Sequence, residues 1–546
     1  MRGKQGFGSI VVLSLATVAA CASERTEQGA EAVVDERAPL DIALPPEVRI
    51  PLDGLAEIEI ALRGDHLPRS TQILADAAVP GLAAVRAAIP RFERVGVIRV
   101  GARAPLALGA TFTLRVTASA GSRTGTAETR ATVVAPSGAL DPSFGQAGTF
   151  VASSNKYDRG AFTDLALEAD GSILAAGPHG DIVGAVFRAV HAYADGTADP
   201  WSPDPSRPGT SGGIIIRRPE GPRNATALAI RRQSSGRVVV VGVDHRGGRD
   251  RIVVVGLRPQ GWLDASFGVV GLRFLAPEGE ASACTLALDA EDAIVVAGRA
   301  GRHALVARLL PDGAPDPRFG DGGFAVLDPL RGAASEVRSV AVDGAGRVLA
   351  AGDAGARAFL VQLEPDGTER WRFRLGRELP TPEPSDLASA RRVVIAPGGD
   401  IVVGGVVQRG ASTFVAVWRI SADGVLDPRF GGLAGVPGLT VAPVFGTADA
   451  FGGIALAPDG GVWVALDIDA RAYGDTTHVE PFLLHLGPDG RPDPGSGSHG
   501  LVRVGLARGN AVTSIACLGD GALLLGLRLR PTGKGGQCAG IARVFP

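Results

Sequence analysis

Leu140-Asp141-Pro142-Ser143-Phe144-Gly145 returns as Leu263-Asp264-Ala265-Ser266-Phe267-Gly268, as Pro315-Asp316-Pro317-Arg318-Phe319-Gly320 and as Leu426-Asp427-Pro428-Arg429-Phe430-Gly431. In such a hexapeptide the Asp accepts local backbone N–H bonds in a turn, the Phe wedges into a core and the Gly tolerates positive φ. Working outward, each copy follows an Asp-Gly-like turn. Before that turn lie an apolar triplet and a run that usually ends in Gly. The triplets are Leu165-Ala166-Leu167, Leu228-Ala229-Ile230, Leu286-Ala287-Leu288, Val340-Ala341-Val342, Val393-Val394-Ile395, Ile454-Ala455-Leu456 and Ile515-Ala516-Cys517. A fixed period of about sixty residues marks a solenoid, a propeller or an array. A four-stranded unit of that length cannot bury both faces alone, so the copies must stack face to face.

The hexapeptides, together with an Asp-Gly turn before a strand ending in Gly (Asp170-Gly171 to Gly177), resemble the delta-60 repeat of bacterial exported proteins. The resemblance covers about four hundred residues and implies a β-propeller. It implies almost nothing about activity, because that family is defined by its scaffold. Three copies depart from the motif. Asp199-Pro200-Trp201 precedes a Pro-rich insertion, Glu369-Arg370-Trp371-Arg372-Phe373 alters the spacing, and Asp493-Pro494-Gly495-Ser496-Gly497 lacks the Phe. The repeat region enters at an edge motif, residues 140–151, and stops after an outer strand, residues 540–545. Pairing the strand near Gly148-Thr149-Phe150-Val151 with that near Ile541-Ala542-Arg543-Val544 removes a bare sheet edge. The expected fold is therefore a seven-bladed β-propeller over residues 137–546, closed by pairing of its N-terminal and C-terminal strands.

Residues 1–21 read as a lipoprotein signal peptide. Arg2 and Lys4 form a basic start, Ile10 to Ala20 an apolar stretch too short for a spanning helix, and Val18-Ala19-Ala20-Cys21 resembles the bacterial lipobox. That resemblance implies lipidation of Cys21 and membrane contact through acyl chains only. Residues 22–39 are polar enough for a flexible tether. Residues 40–136 carry short alternating runs such as Ala56-Glu57-Ile58-Glu59-Ile60-Ala61-Leu62 and Thr111-Phe112-Thr113-Leu114-Arg115-Val116. They predict a small antiparallel β-sandwich, which resembles immunoglobulin-like modules of bacterial surface proteins. The whole chain is expected to be all-β.

The formal charge is only −2, and 52 arginines against three lysines are scattered singly among acids, so no nucleic-acid footprint appears. Cys284, Cys517 and Cys538 match no disulfide framework, and Cys517 occupies a triplet position as a small core hydrophobe. No zinc spacing, phosphate loop or nucleophile elbow is present in the sequence. A calcium site needs six or more oxygens, whereas each repeat loop offers one carboxylate. No metal, cofactor or catalytic residue is therefore assigned. His191 and His485 fall four residues before the turn Asp, where other copies have Arg308, Gln362, Arg419, Arg543 or Gly256, which points to a scaffold hydrogen bond.

Loop insertions are the better place for ligand contacts. Residues 199–224 contain Trp201 and Asp204, and residues 467–481 contain Tyr473, Asp475 and His478. The leading expectation is a monomeric, exported, non-enzymatic lipoprotein that binds an unidentified protein or polymer at the cell envelope. Ala22 after the Cys favours the outer over the inner membrane. The alternative is a hydrolase or lyase with its site in the propeller channel loops.

Overall fold

The alternating runs between residues 41 and 134 fold as two sheets. In this computed structural model the described residues are 39–546, apart from 52–54, 64–70, 77–81, 85–86, 90–94, 103–109, 121, 153–159, 182–183, 200, 202–212, 217–224, 246–248, 276–279, 373–378, 411, 433–434, 445–450, 470–478, 498–499, 507–509 and 531–537. Among them there are nine sheets and no helix, so the protein is all-β. One sheet orders Asp41–Ala43, Leu55–Arg63, Val95–Ala102 and Leu82–Ala84. The other orders Glu47–Pro51, Arg123–Val134, Thr111–Ala120, Thr71–Asp76 and Ala87–Ile89. Alternate residues such as Ile58, Ile60, Ile98, Val100, Leu114 and Val116 meet in one core, as period-two patterning dictates. One feature departs from the antiparallel expectation. Glu47–Pro51 pairs parallel with Arg123–Val134, because the chain leaves the first sheet after Ala43 and joins the second in the same direction as its last strand.

The repeat region forms seven four-stranded sheets. The innermost strands are Asp164–Leu167, Ala225–Arg232, Ala281–Leu288, Ser335–Val342, Leu387–Ile395, Phe451–Leu456 and Ala511–Cys517. Six sheets are antiparallel meanders in chain order. The seventh takes its edge strand from the other end of the region, with Thr149, Phe150 and Val151 opposite Ala542, Ile541 and Gly540. Each hydrophobic cluster draws on two successive sheets. Val241 and Val254 meet Leu286 and Val296, for example, and Leu349 and Leu360 meet Val393 and Val403. One such cluster joins the seventh sheet to the first, bringing Phe150, Leu524 and Ile541 against Phe162, Ile173 and Val190.

The hexapeptide does more than turn the chain. Phe144, Phe267, Phe319 and Phe430 are buried, and the carboxylates of Asp141, Asp264, Asp316 and Asp427 each accept the backbone N–H two residues on. The following Gly then donates its N–H to the Asp-Gly turn of the next sheet. Gly145 reaches Asp195 O at 2.7 Å, Gly268 reaches Asp312 O at 2.9 Å, Gly320 reaches Asp366 O at 2.7 Å and Gly431 reaches Asp489 O at 2.7 Å. The turn glycine of that next sheet has to be small as well as left-handed. At Gly313 (φ +85°) a Cβ would stand 2.6 Å from the Phe267 ring. The motif is thus a wedge and a latch between neighbouring sheets.

The register also corrects one triplet. In the second sheet Ile230 pairs with Val240 as Leu165 pairs with Ala175, so Ile230, not Leu228, matches Leu165, and Leu228 falls in a β-bulge that recurs at the same place in the third to seventh sheets. The true counterpart of Leu165-Ala166-Leu167 is Ile230-Arg231-Arg232, which puts two arginines on an innermost strand.

Candidate functional site

The repeat-register polar residue bridges two turns of its own sheet. Arg308 stands 2.6 Å from Asp289 and 3.4 Å from Asp316, Arg419 3.0 Å from Asp400 and 3.6 Å from Asp427, and Arg543 2.9 Å from Asp520 and 3.3 Å from Asp141. The first acid of each pair lies in the turn after the innermost strand, and the second is the hexapeptide Asp. In the second sheet Gly256 lacks a side chain, and Arg237 from the preceding turn reaches Asp264 at 2.7 Å. Burial pushes the Asp264 carboxyl up, but the Ser266 hydroxyl and the Arg237 guanidinium outweigh it and hold the group at about 2. In the fourth sheet Gln362 occupies the place, buried, beside a cavity of about 350 Å³ also lined by Asp343, Arg347 and Ile395.

His191 and His485 take the same place. His191 Nδ1 lies 2.6 Å from Asp199, and Tyr193 Oη donates to the other carboxylate oxygen at 3.2 Å. His485 Nδ1 lies 2.9 Å from both Asp493 Oδ2 and Ser496 Oγ, its ring stacks on Trp463 with centroids 4.1 Å apart, and its Nε2 is buried 3.7 Å from Asp459. Serine, histidine and aspartate in contact invite a hydrolase reading. The geometry opposes it, because a nucleophile and an orienting acid must engage opposite ring nitrogens, whereas Ser496 and Asp493 both sit on Nδ1 and Asp459, at 3.7 Å, is beyond hydrogen-bond reach of Nε2. The cluster ties turns together as the arginines do.

Trp201 is no free ligand contact. It is buried, it packs with Phe187, Ile230 and Val253, and its indole N–H donates to Pro259 O in the next sheet's turn at 2.6 Å. It is the first sheet's version of the Phe wedge, displaced by one position. Trp371 serves the fourth sheet likewise, packing beneath Gly424 of the fifth. Asp204, Tyr473, Asp475, His478 and Cys21 lie outside the described residues. The strands that flank residues 202–212 and 470–478 are joined at opposite ends of their sheets. The first segment follows a third strand on the turn side, and the second links a second strand to a third on the hairpin side. The Cys517 thiol is free, and burial pushes it up to about 11. Among the described residues no cluster of three or more metal-ligating side chains occurs. No helix there is long and apolar enough to cross a membrane.

Two features escaped the sequence reading. Asp467, on the second strand of the sixth sheet, is buried and accepts the Val512 N–H of the seventh at 3.0 Å. Burial pushes its carboxyl up to about 7, against that bond and the charge of Arg528. The second feature is an arginine–aspartate–arginine set on innermost strands. Asp164 of the first sheet is buried, accepts the Ile230 N–H at 3.1 Å and pairs with Arg231 of the second sheet. Its other oxygen lies 3.6 Å from Arg392 Nη2 of the fifth sheet. The available signal was a charged residue beside a triplet, where other copies have Ala229, Thr285, Ser339, Gly453 or Ser514.

A family model described as a domain of unknown function (DUF5122) beta-propeller matches residues 293–319 and 397–430. Both windows end at a hexapeptide Phe. No curated protein matches the chain in sequence. Among solved structures, the chain is similar to the polysaccharide lyase Uly1 at 9% identity and TM-score 0.38, over 73% of this chain and 92% of that one. It is also similar to a quinonprotein alcohol dehydrogenase-like protein from Bacteroides thetaiotaomicron VPI-5482 at 10% identity and TM-score 0.26, over 94% and 98%. A putative glycoside hydrolase from Bacteroides ovatus ATCC 8483 matches at 8% identity and TM-score 0.27, over 70% and 86%. Likenesses this distant assign no activity. The matched repeats and the stacked four-stranded sheets make this a β-propeller protein.

Proposed function

We propose that the chain is an exported, lipid-anchored binding scaffold. In this reading a tethered immunoglobulin-like sandwich precedes a seven-bladed propeller of delta-60 type, and the propeller takes a protein or polymer of the cell envelope. Ring closure is supported by the pairing of Thr149–Val151 with Cys538–Val544 and by the core shared between the seventh and first sheets. The Arg392–Asp164 contact agrees with it, since it joins the first sheet to the fifth. The observation that carries binding over catalysis is the fate of the repeat's polar residues. Arg308, Arg419, Arg543, His191 and His485 are all engaged by turn carboxylates of the scaffold. A hydrolase or lyase site would have to be built elsewhere than the His485 cluster.

The test uses the full chain in its own envelope. Labelling with a clickable fatty acid should mark the wild type and not Cys21→Ser, which should leave the membrane fraction. Cross-linking in intact envelopes should recover an envelope component that is lost when residues 470–478 are replaced by Gly and Ser. Full acylation of Cys21→Ser would overturn the anchor, and recovery of nothing beyond background would overturn the binding role.

A further inference from the structure

The innermost strands pair only outward, so their free edges and nearby side chains face the axis of the propeller. There the charges do not balance. Arg231 and Arg392 share one carboxylate, Asp164, which is buried and also holds the Ile230 N–H. Arg231 uses Nη1 for both Asp164 and the Ile230 carbonyl. Its Nε and Nη2 make no further hydrogen bond among the described residues. Arg392 has less: its contact with Asp164, at 3.6 Å, is longer than a hydrogen bond, and none of its five N–H groups has a closer partner among the described residues. Both side chains keep a quarter to a third of their surface open, 23% for Arg392 and 31% for Arg231, so their remaining donors are reachable. The surroundings are nevertheless dry enough for burial to push the Arg392 guanidinium down, with Arg231 adding repulsion against the pull of Asp164.

Two guanidiniums around a single carboxylate leave one positive charge uncompensated, and an enclosed charge is costly unless it is paired and hydrogen-bonded. The planar donor fork of Arg matches a carboxylate or a tetrahedral oxyanion. We propose that the propeller axis holds a small-anion site, in which a carboxylate or oxyanion bridges Arg392 and Arg231 beside Asp164. The site joins the first, second and fifth sheets, so an anion there links blades that are not neighbours. This inference goes beyond the scaffold role and does not depend on the lipid anchor.

The full chain in detergent is titrated with phosphate, sulfate and acetate, with ionic strength held constant by chloride. Binding is read as heat and as a shift in the thermal midpoint. The wild type should show saturable binding to at least one of these anions beyond the chloride control. Arg392→Gln should weaken it by about tenfold or more. Asp164→Asn keeps the acceptor for Ile230 N–H and removes the competing charge, so it should tighten binding several-fold. Should Arg392→Gln fail to fold, the opposite sign expected for Asp164→Asn still decides the matter. No saturable effect in the wild type, equal affinity in Arg392→Gln or weaker binding in Asp164→Asn would each overturn the site and leave Arg392 as a cross-axis strut.

Discussion

Asp467 is where a single residue opposes the fold that contains it. In the unfolded chain its carboxyl titrates near 4, and in the folded chain near 7. Between those values the unfolded form is ionised while the folded form keeps its proton. This group's contribution to stability therefore falls as pH rises through about 4 to 7, and is flat outside that window. Asp467→Asn retains an oxygen for the Val512 N–H and cannot ionise. Its gain over wild type should be absent near pH 4 and reach on the order of 1–4 kcal/mol by pH 8, read from denaturation midpoints. A gain that does not vary with pH would contradict this account. Legibility at this scale followed register. The partner-seeking role of His191 and His485 was visible because arginines recur at the same offset, whereas Asp467 has no marked counterpart and its burial follows from a neighbouring sheet.

Among elements, the hexapeptide turn shows what spacing reveals and where it fails. Four copies keep Asp and Phe three residues apart, and all four phenylalanines are buried wedges. Trp201 follows its Asp by two residues within a proline-rich stretch, so it looked like a loop residue, yet it fills the wedge position against Pro259. Trp201→Phe should keep the packing and lose one hydrogen bond, costing about 0.5–1.5 kcal/mol. Trp201→Ala should cost about 3–5 kcal/mol. Equilibrium unfolding separates the two, and a neutral Trp201→Ala would show that the ring bears no packing role. The innermost strand of the second sheet was misaligned by two residues, which the spacing to its Gly242 marks: Leu165 precedes Gly177 by twelve residues, as Ile230 precedes Gly242. Leu228-Ala229-Ile230 imitates the apolar triplet, but the register sets Ile230 opposite Val240 as Leu165 is opposite Ala175, and so places Arg231 on the inner edge.

For the molecule as a whole, repeat spacing made the architecture readable from the chain alone, because period and strand alternation are local signals. The parallel pairing of Glu47–Pro51 was not readable, since it sets Glu47 opposite Arg130, on a strand far along the chain. Removing residues 540–546 should destabilise the whole propeller, because Cys538–Val544 carries Leu523–Leu529 on one side and Thr149–Val151 on the other. A fall in thermal midpoint of more than about 10 °C, or loss of soluble protein, is expected. An unchanged midpoint would show that each sheet stands by itself.

The ladder between Thr149–Val151 and Cys538–Val544 also sets an order of events. Its two sides are separated by almost the entire repeat region, so Thr149–Val151 waits for a strand made long after it. A chain cut short anywhere before residue 540 keeps an exposed backbone edge at its beginning, open to proteases. Resistance to digestion thus reports that residues 540–542 have been made and docked, and one three-residue ladder acts as the repeat region's own seal.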